Sequence, residues 1–126
     1  MTIAMWMILV AALLPYGTVA IAKATSEVDN RAPRLSAERM TGRAQRADWA
    51  HRNHFEAFAP FAAAVIVAQL AHVPQARVDV VAMVFVAARV AYTWAYLDDR
   101  ATLRSSLWGV GIVSVIALFV LAAFAG

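Results

Sequence analysis

Four apolar stretches, each near the length that crosses a bilayer as a helix, take up most of this 126-residue chain. A spanning helix needs roughly 20 predominantly apolar residues. Ile3 to Ala22, Phe55 to Ala71, Val78 to Leu97 and Leu107 to Phe124 reach or approach that length. Hydrophobic residues make up 63% of the chain and charged residues 15%, whereas a soluble domain is about half apolar and a quarter charged. A chain this short cannot bury so much apolar surface in a water-soluble core, so lipid must cover the rest. The expectation is an all-α, polytopic membrane protein. It forms one domain over residues 1–126, a four-transmembrane-helix bundle.

Met1 to Val10 contains no Lys or Arg. A signal peptide would carry a basic segment there, so the first run reads as a retained span. Pro15 and Gly17 within it are tolerated in membrane helices and are candidate kink positions. From Lys23 to Arg46 the chain turns polar, with Ser26, Asp29, Asn30, Pro33 and Ser36 marking a connection. Ser36 is placed to cap a helix starting near Ala37. Pro74 closes that helix, and Asp98, Asp99 and Arg100 form the next turn. The helices are expected at about 3–23, 37–73, 76–98 and 103–125.

The net charge is +3, and its distribution reads as membrane orientation rather than nucleic-acid binding. Lys23, Arg31, Arg34, Arg39, Arg43, Arg46, Arg100 and Arg104 fall in the connections after the first and third spans, and Arg77 alone falls on the other side. The positive-inside rule then puts the basic connections in the cytoplasm and both termini outside. There is no cysteine, which excludes disulfides and thiolate metal sites. Any thiol chemistry must use the thiol of a substrate.

Polar groups within spans are costly and each needs a reason. One constellation is Arg52, Asn53 and Glu56, followed by Pro60. Arg46, Trp49, Asn53, Glu56 and Pro60 trace one helix stripe. Arg52 and Glu56 are i,i+4 and can form a surface ion pair, so this reading and a ligand-binding one both stand. The other constellation is Arg89, Tyr92 and Tyr96 on one helix face, followed by Arg104 and Ser105. Arg89 sits mid-span and needs an acid within the bundle, for which Glu56 is the natural candidate. Tyr92 and Tyr96 can instead belong to an interfacial aromatic belt. Together these groups suit an anionic peptide-like molecule. Arginines match its carboxylates, an acid matches its ammonium, and a further cation near its sulfur favours the thiolate.

The stretch Ala50-His51-Arg52-Asn53-His54-Phe55-Glu56 with Pro60-Phe61 resembles the membrane-associated proteins in eicosanoid and glutathione metabolism (MAPEG). So does Arg89-Val90-Ala91-Tyr92-Thr93-Trp94-Ala95-Tyr96-Leu97 with Leu103-Arg104-Ser105. The likeness is to the microsomal glutathione transferase and prostaglandin E synthase branch, in a bacterial-type member. It implies a homotrimer in the inner membrane, with glutathione as cosubstrate bound between subunits near the cytoplasmic face. Arg52, Asn53 and Glu56 would hold the glutathione peptide. Tyr92, Tyr96 and Ser105 would line the pocket, Arg104 would be catalytic in stabilising the thiolate, and Arg89 would be a buried charge partner. The implied activity is that of a glutathione-dependent transferase or peroxidase acting on lipophilic small molecules. Trp49 stands where eicosanoid enzymes of the family often carry arginine. Arg46 lies one turn earlier, and the end of the first span offers only Lys23.

All three histidines fall on one helix, which argues against a haem or metal role. A small multidrug exporter would carry an essential glutamate in the first span, where this chain has no charge. A non-catalytic structural or ligand-binding protein of the same fold remains an alternative, since fold and function separate.

Overall fold

The computed structural model describes residues 1–125 and, over these, is helical without strands. Five helices follow in order: α1 Ile3–Ala24, α2 Pro33–Glu38, α3 Gly42–Leu70, α4 Gln75–Leu97 and α5 Ala101–Ala123. The four long ones form an up-and-down bundle in which α1 packs on α3 and α4, and α5 closes the other side on the same two helices. Three helices, α1, α4 and α5, are long and apolar enough to cross a membrane. They turn large apolar side chains outward, among them Leu13, Val113 and Ile116. Such a surface is stable against hydrocarbon and not against water. The protein is therefore an integral membrane protein. Helix α3 is longer, at 29 residues, but its first half is charged.

That helix differs from expectation at its start. The sequence suggested one helix from about 37 to 73, capped by Ser36. Instead the chain makes the short α2, breaks, and restarts at Gly42, whose φ of +58° suits a residue without Cβ. Ser36 lies inside α2. Its hydroxyl accepts from the Asp29 N–H at 3.0 Å and donates to the Ala32 carbonyl at 3.2 Å. It therefore ties the connection down instead of capping α3. Helix α1 runs unbroken through Pro15, and His51 Nδ1 donates to the Pro15 carbonyl at 2.7 Å.

The ends of the bundle are pinned by polar contacts. At one end Asp79 Oδ1 accepts from the Ala4 backbone N–H at 2.8 Å and from Gln75 Nε2 at 2.7 Å. An acid within an apolar run thus satisfies a donor that helix geometry leaves free. At the other end Arg46 Nη2 donates to the Leu97 carbonyl at 3.3 Å, where the α4 dipole favours a cation. This contact draws the two basic connections to the same end. Helices α3 and α4 finish in matching Schellman turns. Val73 N–H bonds Ala68 O, and Arg100 N–H bonds Ala95 O. The left-handed positions are held by His72 and Asp99, each with φ +57°.

Alanines such as Ala64, Ala68 and Ala82 fill the core and bring the helices close, as small residues do in membrane bundles. Phe61 on α3 and Phe85 on α4 stack with centroids 3.8 Å apart and planes 5° from parallel. This stack sits beneath the polar cluster described next.

Candidate functional site

Arg89 is buried in the bundle at 2% exposure. The sequence suggested an ion pair with Glu56. The structure corrects this, because among the described residues no carboxylate reaches ion-pair distance of the guanidinium. Arg89 instead donates from Nη2 to Asn53 Oδ1 at 2.9 Å. It also donates to His54 Nδ1, from Nε at 3.3 Å and from Nη2 at 3.1 Å. The reason is angular. Residues 54 and 56 lie about 200° apart around a helix. The rotation of α3 that turns His54 inward leaves Glu56 on the exposed face.

Asn53 completes the link. Its Nδ2 donates to Glu56 Oε2 at 3.0 Å while its Oδ1 accepts from Arg89. The buried cation and the exposed acid are thus joined through one amide. All three line a cavity of about 140 Å³, together with Phe85, Trp108 and Gly111. At Gly111 α5 lies over Arg89 and Phe85, and a Cβ there would meet Arg89 Cδ and Phe85 Cε2 at 3.7 Å, an ordinary van der Waals distance.

From Arg89 a row of rings runs toward the basic end. Its Cζ lies 4.1 Å from the Tyr92 ring centroid, and the Tyr92 and Tyr96 rings meet edge to face at 5.5 Å. Arg104 Cζ then lies 4.7 Å from the Tyr96 centroid. Cation–π contact of this kind holds each guanidinium over a ring face. Tyr92 is buried, so it is no belt residue. Trp49 joins the row, with its ring 6.3 Å from that of Tyr96.

Two candidates lie apart from both the cavity and the row of rings that leads to Arg104. Arg52 pairs backward with Asp48 at 2.9 Å, with its side chain 60% exposed, so the suggested Arg52–Glu56 pair is not formed. Ser105 opens onto a shallow depression with Ala101, Thr102 and Ser106 on the first turn of α5. Neither lines the cavity of Arg89.

Sequence reading missed His54 and Thr93. His54 Nε2 donates to Thr93 Oγ1 at 2.7 Å, and the Thr93 hydroxyl donates to the Arg89 carbonyl at 3.1 Å. The signal the sequence holds for them is the i,i+4 spacing of Arg89 and Thr93, together with a histidine next to Asn53. Among the described residues no group of His, Asp and Glu could hold a metal ion.

Two larger hollows lie elsewhere on the surface. An apolar groove of about 470 Å³ lies between α1 and α4, with Leu13, Gly17, Val90, Thr93 and Trp94 on its walls. A larger polar hollow of about 630 Å³ lies among the α1–α2 connection and the start of α3. It contains none of the candidate residues, so size alone does not locate the site.

The model of the MAPEG family matches residues 3–124 of the chain. Neither a curated protein nor a solved structure gives a match.

Proposed function

The chain belongs to the MAPEG family, and from this we propose that it is a glutathione-dependent membrane transferase or peroxidase. The observation that carries the reading is the Arg89–Asn53–Glu56 chain on one cavity, continued by Tyr92, Tyr96 and Arg104. Cation, amide, acid and second cation are the groups that a tripeptide with carboxylates, an ammonium and a thiol requires. Asn53 and Glu56 hold the peptide and its ammonium, with Arg52 on a carboxylate. Arg89 is the buried charge partner beneath them. Tyr92, Tyr96 and Ser105 line the pocket.

Arg104 acts on the sulfur. A thiol of this kind ionises at about pH 8.5, and a guanidinium beside it lowers that value by favouring the charged form. The proton passes to water. The thiolate then forms a carbon–sulfur bond with a lipophilic electrophile, whose leaving group departs with the bonding electrons. In the peroxidase variant the thiolate attacks the terminal oxygen of a lipophilic hydroperoxide, the O–O bond breaks and the alkoxide leaves and takes a proton as the alcohol. A second glutathione thiol then converts the resulting sulfenic acid to the disulfide and water. The apolar groove between α1 and α4 supports a second substrate that arrives from the bilayer.

The same proposal includes a fourth span formed by the apolar half of α3, a homotrimer, and a cytoplasmic location for the basic end. The separation of Arg52 and Ser105 from the cavity in one subunit supports a site completed by a neighbouring copy. The test is calorimetric titration of glutathione into the detergent-solubilised protein, with Arg52→Ala and Glu56→Ala as controls. Saturable binding weakened in both variants supports the site. No binding to a folded, oligomeric sample overturns it and favours the non-catalytic reading.

A further inference from the structure

We infer that His54 is a positioning residue for Arg89, and through Arg89 for the Asn53–Glu56 pair; its bearing on catalysis rests on the proposed glutathione site. A guanidinium carries donors only. His54 Nδ1, which faces two of them at 3.3 and 3.1 Å, must therefore be an unprotonated acceptor. The ring proton is then on Nε2, which donates to Thr93 Oγ1 at 2.7 Å. The Thr93 hydroxyl, having accepted that bond, donates to the carbonyl of Arg89 itself at 3.1 Å. The bonds close a ring: guanidinium to imidazole, imidazole to hydroxyl, hydroxyl to the backbone of the residue where the ring began. Each member fixes the donor or acceptor role of the next, and a closed set of bonds of this kind, buried at the imidazole and half-buried at the hydroxyl, specifies one arrangement.

The neighbouring histidine makes the assignment specific. His51 Nδ1 faces the Pro15 carbonyl at 2.7 Å, which only accepts, so this nitrogen carries a proton. The same ring atom is thus protonated in His51 and bare in His54, although the two residues are three apart on one helix. Sequence spacing would treat them as equivalent.

The consequence for the site is geometric. Arg89 has no carboxylate to hold it, and Tyr92 supports only one face of the guanidinium. Without His54 Nδ1 the group is free to swing in its plane. Asn53 Oδ1, and with it the Nδ2 bond to Glu56, then loses its fixed partner. Side-chain geometry identifies the substitutions that separate the roles. An asparagine at 54 can put an oxygen where Nδ1 stands, because both atoms are bonded to Cγ. A glutamine reaches the position of Nε2 and restores only the Thr93 side.

Two measurements test this. The first is nitrogen-15 NMR of histidine-labelled protein in micelles, with resonances assigned through His51→Gln and His72→Gln. His54 should show a bare Nδ1 and a protonated Nε2, and its Nδ1 signal should shift on Arg89→Gln. A protonated Nδ1, or a signal indifferent to Arg89→Gln, overturns the inference. This arm does not depend on glutathione, so it decides the matter even if wild type binds none and the proposed function falls. The second is glutathione titration. His54→Asn should stay within a few-fold of wild type, while His54→Gln loses about tenfold or more, the scale of one charge-assisted hydrogen bond. Equal losses in both variants, or the reverse order, overturn the positioning role.

Discussion

Arg89 and Asn53 meet across the α3–α4 interface at 2.9 Å, guanidinium to amide oxygen, and this bond sets the charge pattern of the cavity. A direct bond from Arg89 to Glu56 would collapse both charges into one neutral pair. The intervening amide keeps the cation buried and the acid exposed. Both remain turned to the same small space.

Removing the amide should therefore affect binding more than fold. Asn53→Ala takes an acceptor from Arg89 and a donor from Glu56 together. Hydrogen bonds to charged groups contribute about 1.5–3 kcal/mol. Glutathione affinity should fall by roughly tenfold or more, since 1.4 kcal/mol is about a factor of ten. Titration against wild type measures this, and an unchanged affinity would remove Asn53 from the site.

Arg104 should show its role through pH. In Arg104→Ala the bound thiol loses its stabilising cation and its pKa rises toward the ordinary thiol value of about 8.5. At pH 7 the conjugation rate should drop by about tenfold or more, because loss of one preorganised charge costs on the order of a hundredfold in well-studied sites. The deficit should shrink as pH approaches 9 and the thiol ionises unaided. A deficit independent of pH would assign Arg104 to binding instead of thiolate stabilisation.

Asp79 should matter for stability without contributing to the site. It takes the Ala4 N–H at 2.8 Å, far along α4 from Arg89. Asp79→Ala leaves that donor unpaired at a cost of about 1–3 kcal/mol. Asp79→Asn keeps an acceptor oxygen and should cost less. Thermal unfolding in detergent orders the three proteins, and equal midpoints would show that the α1 end is held by other contacts.

One substitution should stabilise the protein. Asp99 occupies the left-handed position of the α4 Schellman turn with φ +57°. A side chain there costs roughly 1–2 kcal/mol, so Asp99→Gly should gain about 1 kcal/mol. The gain is measurable as a higher unfolding midpoint. His72→Gly, at the equivalent position after α3, should behave alike. Lower midpoints for both would mean that these side chains make compensating contacts in the turns.

The sequence-based boundaries of α1, α4 and α5 lie within a residue or two of those observed. Apolar run length is a local property, and the bilayer thickness that selects it is a constant. The start of α3 was misread because Ser36 has the chemistry of a cap. Yet Gly42, the residue able to take positive φ, lies six positions later and sets the break. The cluster residues Asn53, Glu56, Arg89, Tyr92, Tyr96 and Arg104 were legible as two constellations, one at the start of the second apolar run and one along the third and just beyond it. Their pairing was not. Charge alone favoured Glu56 for Arg89, while the azimuth of α3 gave the contact to His54. Arg52 was equally ambiguous, having an acid four residues away on either side, and it took Asp48.

By itself the sequence determined that this is a helical membrane protein, which ends of its helices share the basic connections, and which side chains are too polar to face lipid. Those properties follow from composition and spacing along single helices. Only the tertiary structure decided which polar groups satisfy one another. A spacing of three or four residues places side chains on a face, but the rotation of that helix against its neighbours selects the partner. At Arg89 that rotation substitutes a histidine and an amide for the expected acid.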